Sequence, residues 1–119
     1  MYRVRKRDGE LVDFNINKIS GAIKKAFEAT GTDYNDSVID FLSLKVTADF
    51  QDKIKDGAVT VEDVQDSVEA VLSRGGYEHV AKAYILYRRQ REKLRNMKNT
   101  YLDYKNVVDS YLDASDWRV

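Results

Sequence analysis

At 119 residues the chain is long enough for one domain around one core and too short for a large enzyme. Its 20 basic and 20 acidic side chains cancel, so no overall field recruits nucleic acid or an anionic membrane, and any anion must be held locally. The absence of cysteine excludes disulfides, a zinc ribbon and thiyl chemistry within these residues, and the single His79 cannot build a metal site alone. No apolar run reaches membrane-spanning length and no hydrophobic region follows the basic N-terminus, so a cytoplasmic chain is the default expectation.

The first elements form around a turn. Tyr2 to Lys6 and Glu10 to Phe14 alternate polar and apolar residues, and Asp8-Gly9 between them is a strong hairpin signal. A helix begins almost at once, with Asn15 or Asn17 as N-cap. Lys18 then falls in its first turn, where a cation opposes the helix dipole unless an anion shares the space. Lys6, Arg7 and Lys18 thus surround a turn and a helix start, the setting in which a polyanion such as a nucleoside triphosphate is held.

From Ile16 to about Thr30 the residues Ile19, Ala22, Ile23, Ala26 and Phe27 fall on one helical face, and Gly31 ends the run. A second helix starts near Asn35 or Asp36, with a buried stripe of Ile39, Leu42, Val46, Phe50 and Ile54 predicted to run to Asp56-Gly57. Ala58 to Val61 is short and β-branched, and a third strand on the hairpin is expected because two strands alone are marginal. Thr60 opens a third helix with a capping-box-like T-V-E-D, its inner face Val61, Val64, Val68, Val71 and Leu72. Glu62-Asp63 reads as a pair of first-turn dipole partners. That helix stops at Arg74-Gly75-Gly76.

The fourth helix opens almost wholly apolar from Val80 to Tyr87, which predicts burial on most sides, and then turns basic. Arg88 and Arg91, at i and i+3, share a face and could serve a phosphate, whereas the rest of the cluster suits a solvated helix end. Walker and Gly-rich phosphate loops are absent, so hydrolysis is not indicated. Beyond Lys98 a looser spacing continues through Tyr101, Tyr104, Val107, Val108, Tyr111 and Leu112 to Trp117.

Three stretches carry a family resemblance. Val4, Lys6, Arg7, Asp8, Gly9, Phe14, Asn15, Lys18 and Ile19 make a V-x-K-R-D-G hairpin followed by N-x-x-K-I. This resembles the opening of the ATP-cone, the nucleotide-sensing domain of ribonucleotide reductases. V-T-V-E-D-V-Q-D-S-V-E (Val59 to Glu69) and H-V-A-K-A-Y-I-L-Y-R (His79 to Arg88) are similar to its second and third signatures, in the same order. The final Y-L-D-A-S-D-W-R-V is similar to the segment joining the cone to the catalytic barrel in anaerobic ribonucleoside-triphosphate reductases, so the chain reads as a piece of a longer protein, with a reductase of that anaerobic class as the expected parent.

The resemblance implies a mainly helical α+β fold, a four-helix bundle capped by a three-stranded sheet built on the hairpin. It implies a cone over residues 1–98 and a linker or start of a catalytic domain over 99–119. The ligand would be ATP, activating, or dATP, inhibiting, with Mg²⁺ as a possible companion, and the part itself would be non-catalytic. Its partners would be the catalytic barrel of the same polypeptide and further copies of itself in a nucleotide-dependent homo-oligomer, with no nucleic acid or membrane. The site residues are Val4, Phe14 and Ile19 as an apolar slot for adenine, Lys6, Arg7 and Lys18 on the phosphates, and Asn15, Thr60, Arg88 and Arg91 as further contacts. Two alternatives stand beside this: the cone of a transcriptional repressor without its zinc ribbon, and a helical interaction module that binds no nucleotide.

Overall fold

In the computed structural model the backbone is described over residues 2–103 and side chains over 2–98. The readings of Tyr104, Val107, Val108, Tyr111, Leu112 and Trp117 lie outside the described residues. The element order is β1 (Arg3–Arg5), β2 (Leu11–Asp13), α1 (Ile16–Ala29), α2 (Asp36–Asp49), a 3₁₀ turn (Gln51–Lys53), β3 (Ala58–Thr60), α3 (Val61–Arg74) and α4 (Glu78–Asp103). The chain forms two units, Met1–Leu86 and Tyr87–Val119. No helix among the described residues is long and apolar enough to cross a membrane.

The sheet is built on the predicted hairpin. β1 pairs antiparallel with β2, Val4 opposite Val12, and β3 joins the other side of β1 in parallel, Val59 beside Val4 and Thr60 beside Arg5. Alternation turns Val4, Val12 and Val59 toward the core face, while Arg3, Arg5, Leu11 and Asp13 are exposed. The hairpin closes through three residues: Gly9 N–H donates to the Lys6 carbonyl and Lys6 N–H to that of Glu10. Gly9 at φ +89° supplies the left-handed residue such a loop requires.

In the first unit α1, α2, α3 and the opening of α4 enclose one core, Ile23, Phe27, Ile39, Val46, Leu72 and Val80 among its members. Tyr2, Phe14 and Phe50 meet with centroids 5.0 to 5.8 Å apart, which seats the hairpin on the bundle. Phe27 meets Tyr34 and Tyr77 in a second cluster. Asn15 caps α1, Asn35 caps α2 and Thr60 caps α3, each accepting a first-turn N–H.

Two expectations are corrected. α2 ends at Asp49 rather than at Asp56-Gly57. Phe50 still enters the core, fully buried, but from the helix end, and a 3₁₀ turn follows. Asp56 (φ 53°) and Gly57 (φ 74°) are the two central residues of a tight turn in which Lys55 and Ala58 exchange backbone hydrogen bonds, the left-handed pair that a type I′ turn demands. α4 is not buried on most sides. Val80, Ala81 and Tyr84 are buried, while Lys82 and Leu86 are exposed, so its apolar run contributes one face to the core.

Candidate functional site

β3 runs into α3 with no intervening loop, so its parallel register fixes where α3 begins. Thr60 sits beside Arg5, and the first turn of α3 therefore lies at the tip end of the hairpin, next to Lys6 and Arg7. The side chains confirm the placement: Arg7 Nε lies 3.0 Å from Glu62 Oε2 and its Nη2 donates to Gln65 Oε1 at 3.2 Å. Lys6 is paired with Glu10 at 3.4 Å, and Asp8 accepts from the Glu10 N–H, which stiffens the loop. Lys6, Arg7 and Thr60 are thus brought together.

Asn15 and Lys18 start from the other end of the hairpin. Asp13 is opposite Arg3, three residues or roughly 10 Å along the strand from Glu10 at the tip. A ligand touching both Lys6 and Lys18 has to extend along the hairpin. Lys18 is exposed and forms no ion pair among the described residues. Its helix has no acid in the first turn, whereas α2, α3 and α4 each have at least one.

The capping residues keep donors to spare. Thr60 Oγ1 accepts from Asp63 N–H at 3.1 Å, which leaves its O–H free to donate. Asn15 Oδ1 accepts from Asn17 N–H at 2.9 Å, which leaves its amide NH₂. The apolar candidates serve packing as well. Ile19 is buried, and Val4 and Phe14 are half-buried against the core. Arg88 and Arg91 belong to the second unit, where Arg91 donates to the Tyr87 hydroxyl at 3.3 Å and its guanidinium lies 5.7 Å from that ring's centroid.

A cleft of about 670 Å³ opens beside β3. Of the predicted residues only Thr60 lines it, and its cations Arg5, Lys53 and Lys55 are matched by Asp52, Asp56 and Asp63. That balance gives a polyanion no preference for the cleft, in contrast to Lys18.

Sequence reasoning missed Glu10, Glu62 and Gln65 as partners of the hairpin cations. Glu62 was read only as a dipole partner, because its nearness to Arg7 depends on the β1–β3 register.

The same stretches match known proteins. Residues 2–93 match the model of the ATP cone domain. The chain is 38% identical over 96 residues to the vitamin B12-dependent ribonucleoside-diphosphate reductase of Mycobacterium tuberculosis, covering 81% of this chain and 13% of the relative. It is 40% identical over 101 residues to the ribonucleoside-diphosphate reductase subunit alpha of Chlamydia pneumoniae, covering 79% and 10%. The anaerobic ribonucleoside-triphosphate reductase of Salmonella typhimurium is 36% identical over 92 residues, covering 75% and 12%. The chain therefore spans about an eighth or less of these relatives' length. With the hairpin, the third strand and the helical core all falling within the matched residues, the chain belongs to the ATP-cone domain family.

Proposed function

We propose that the chain is an allosteric nucleotide-binding module that takes ATP or dATP along the hairpin and controls a ribonucleotide reductase catalytic domain in the same polypeptide. The observation that carries this is an exposed Lys18, without an ion pair among the described residues, on a helix start without acid, at one end of a hairpin whose other end bears Lys6 and Arg7. These three cations meet the phosphates through charge-assisted hydrogen bonds, the strong kind. Thr60 O–H and the Asn15 amide add donors, and the half-buried Val4 and Phe14 offer an apolar wall to the base, with Ile19 contributing only the small part of its surface left outside the core. Any Mg²⁺ rides on the phosphates, as is usual for that ion.

ATP and dATP differ by one 2′-hydroxyl, so opposite outputs require that hydroxyl to contact two states of the protein differently. By family likeness ATP leaves the reductase active and dATP switches it off, with an accompanying change in homo-oligomeric state. The relatives include B12-dependent, alpha-subunit and anaerobic reductases, so the likeness supports a reductase without favouring the anaerobic class.

Isothermal titration of the chain with ATP, dATP, GTP and CTP tests the reading. Binding of both adenine nucleotides, with GTP and CTP much weaker, is expected. Equal affinity for GTP would remove the adenine slot, and no binding of any nucleotide would remove the site.

A further inference from the structure

We infer that the contact of Arg7 with Glu62 and Gln65 is an ionic clasp that fastens the hairpin tip to α3 and is exchanged for phosphate when nucleotide binds. This rests on the reading of Arg7 as a phosphate contact and adds a device that couples occupancy to the fold. Arg7 and Gln65 are 58 residues apart in sequence, and Glu62 and Gln65 present one face of α3 at i and i+3. The guanidinium therefore spans two side chains one turn apart, with Nε on the carboxylate and Nη2 on the amide oxygen.

Charge at the tip gives the clasp its consequence. Two cations, Lys6 and Arg7, stand among three carboxylates, Asp8, Glu10 and Glu62, and each cation has a carboxylate oxygen within 3.4 Å. In that arrangement the tip does not attract a polyanion; its cations become available only as Glu10 and Glu62 are displaced. Glu10 lies on the hairpin itself, so losing Lys6 leaves the hairpin intact. Glu62 lies on α3, so losing Arg7 unties the tip from the helix. Because the strands are only three residues long, contacts at the tip weigh heavily in where the hairpin rests. Nucleotide binding thereby releases Glu62 and Gln65 from the hairpin tip while the β1–β3 pairing still holds the start of α3, a local change that a neighbouring domain can sense.

A carboxylate that instead oriented Arg7 for the ligand would have the opposite effect on affinity, and this makes the clasp testable. The experiment titrates the 119-residue chain with ATP as wild type, Glu62→Gln and Asp63→Asn, with hydrogen exchange at the Lys6 and Gly9 amides. Both substitutions remove one charge from the same helical turn, but Asp63 does not touch Arg7. Since partly exposed ion pairs are weak, Glu62→Gln should bind ATP about two- to fivefold tighter than wild type. Asp63→Asn should show no such gain. The hairpin amides of empty Glu62→Gln should exchange faster than wild type, and the difference should vanish with ATP bound.

Unchanged or weaker binding by Glu62→Gln, or an equal gain in Asp63→Asn, overturns the clasp while a binding wild type leaves the site standing. Absence of ATP binding by the wild type overturns the site reading and the clasp with it.

Discussion

Lys18 and Lys6 differ in what they give up to meet an anion. Lys6 is already paired with Glu10, so a phosphate gains only the difference between two partners. Lys18 has no carboxylate among its described contacts and opposes its own helix dipole, so a phosphate relieves a cost as well as adding a bond. A hydrogen bond to a charged group contributes about 1.5–3 kcal/mol. Lys18→Ala is therefore expected to weaken ATP binding by about tenfold or more, and Lys6→Ala by a comparable or smaller factor. Both side chains are exposed, so thermal melting of the empty variants should match wild type within about 0.5 kcal/mol. Parent-like binding by both would place the site elsewhere. The helix starts were legible in the sequence, Thr60 outright, Asn15 as one of two candidates with Asn17 and Asn35 as one of two with Asp36, because each is dictated by residues within one turn of itself. Glu62 as the partner of Arg7 was not, since no local rule carries the register of a parallel strand.

At the level of elements, a polar tie joins α2 to α3 where the two helices pack. The hydroxyl of Ser67 first and the Arg74 guanidinium second hold the Asp49 carboxyl below its ordinary value near 3.8, although the Ser67 contact falls short of full hydrogen-bond geometry. A carboxylate whose pKa is depressed by folding releases protons on folding, so the unfolded chain binds more protons in the acid range and stability rises with pH there. The contribution is complete above the ordinary carboxylate value and is lost as pH falls through the lowered, folded one. Asp49→Asn should therefore melt below wild type at pH 7, with the gap closing as pH falls below that range. A gap of constant size across pH would mean that the charge is not what ties the helices. The end of α2, next to this tie, is also where periodicity misled. Phe50 continues the apolar spacing and is fully buried, yet the helix ends at Asp49. Spacing reports which side chains reach a core and not whether the backbone is still helical when they do. Asp56-Gly57, expected as the stop of α2, is instead the centre of a type I′ turn, a role that depends on the strand that follows. The run Val80 to Tyr87 misled in the other direction: its apolar character exceeds the one face that the core accepts.

For the whole molecule, the location of the core decides which residues the nucleotide module needs. Among the described residues every buried core residue falls between Ile19 and Tyr84, the partly buried residues packed on it end at Ala83, and the family match ends at 93. We therefore propose residues 1–98 as the self-sufficient cone and 99–119 as the connection to the catalytic domain. α4 itself continues to Asp103, so ending the chain after Lys98 cuts a helix rather than a loop. The cost is small, because terminal helical turns fray and because Arg95 and Lys98 would then stand in the last turn, where cations suit the dipole. The truncated protein should keep its melting temperature and its affinity for ATP and dATP nearly unchanged, measured by calorimetry against the full 119 residues. A large loss of melting temperature would make residues 99–119 part of the folded domain. Loss of affinity at unchanged melting temperature would place a nucleotide contact among them, and in either case the boundary at Lys98 would have to move.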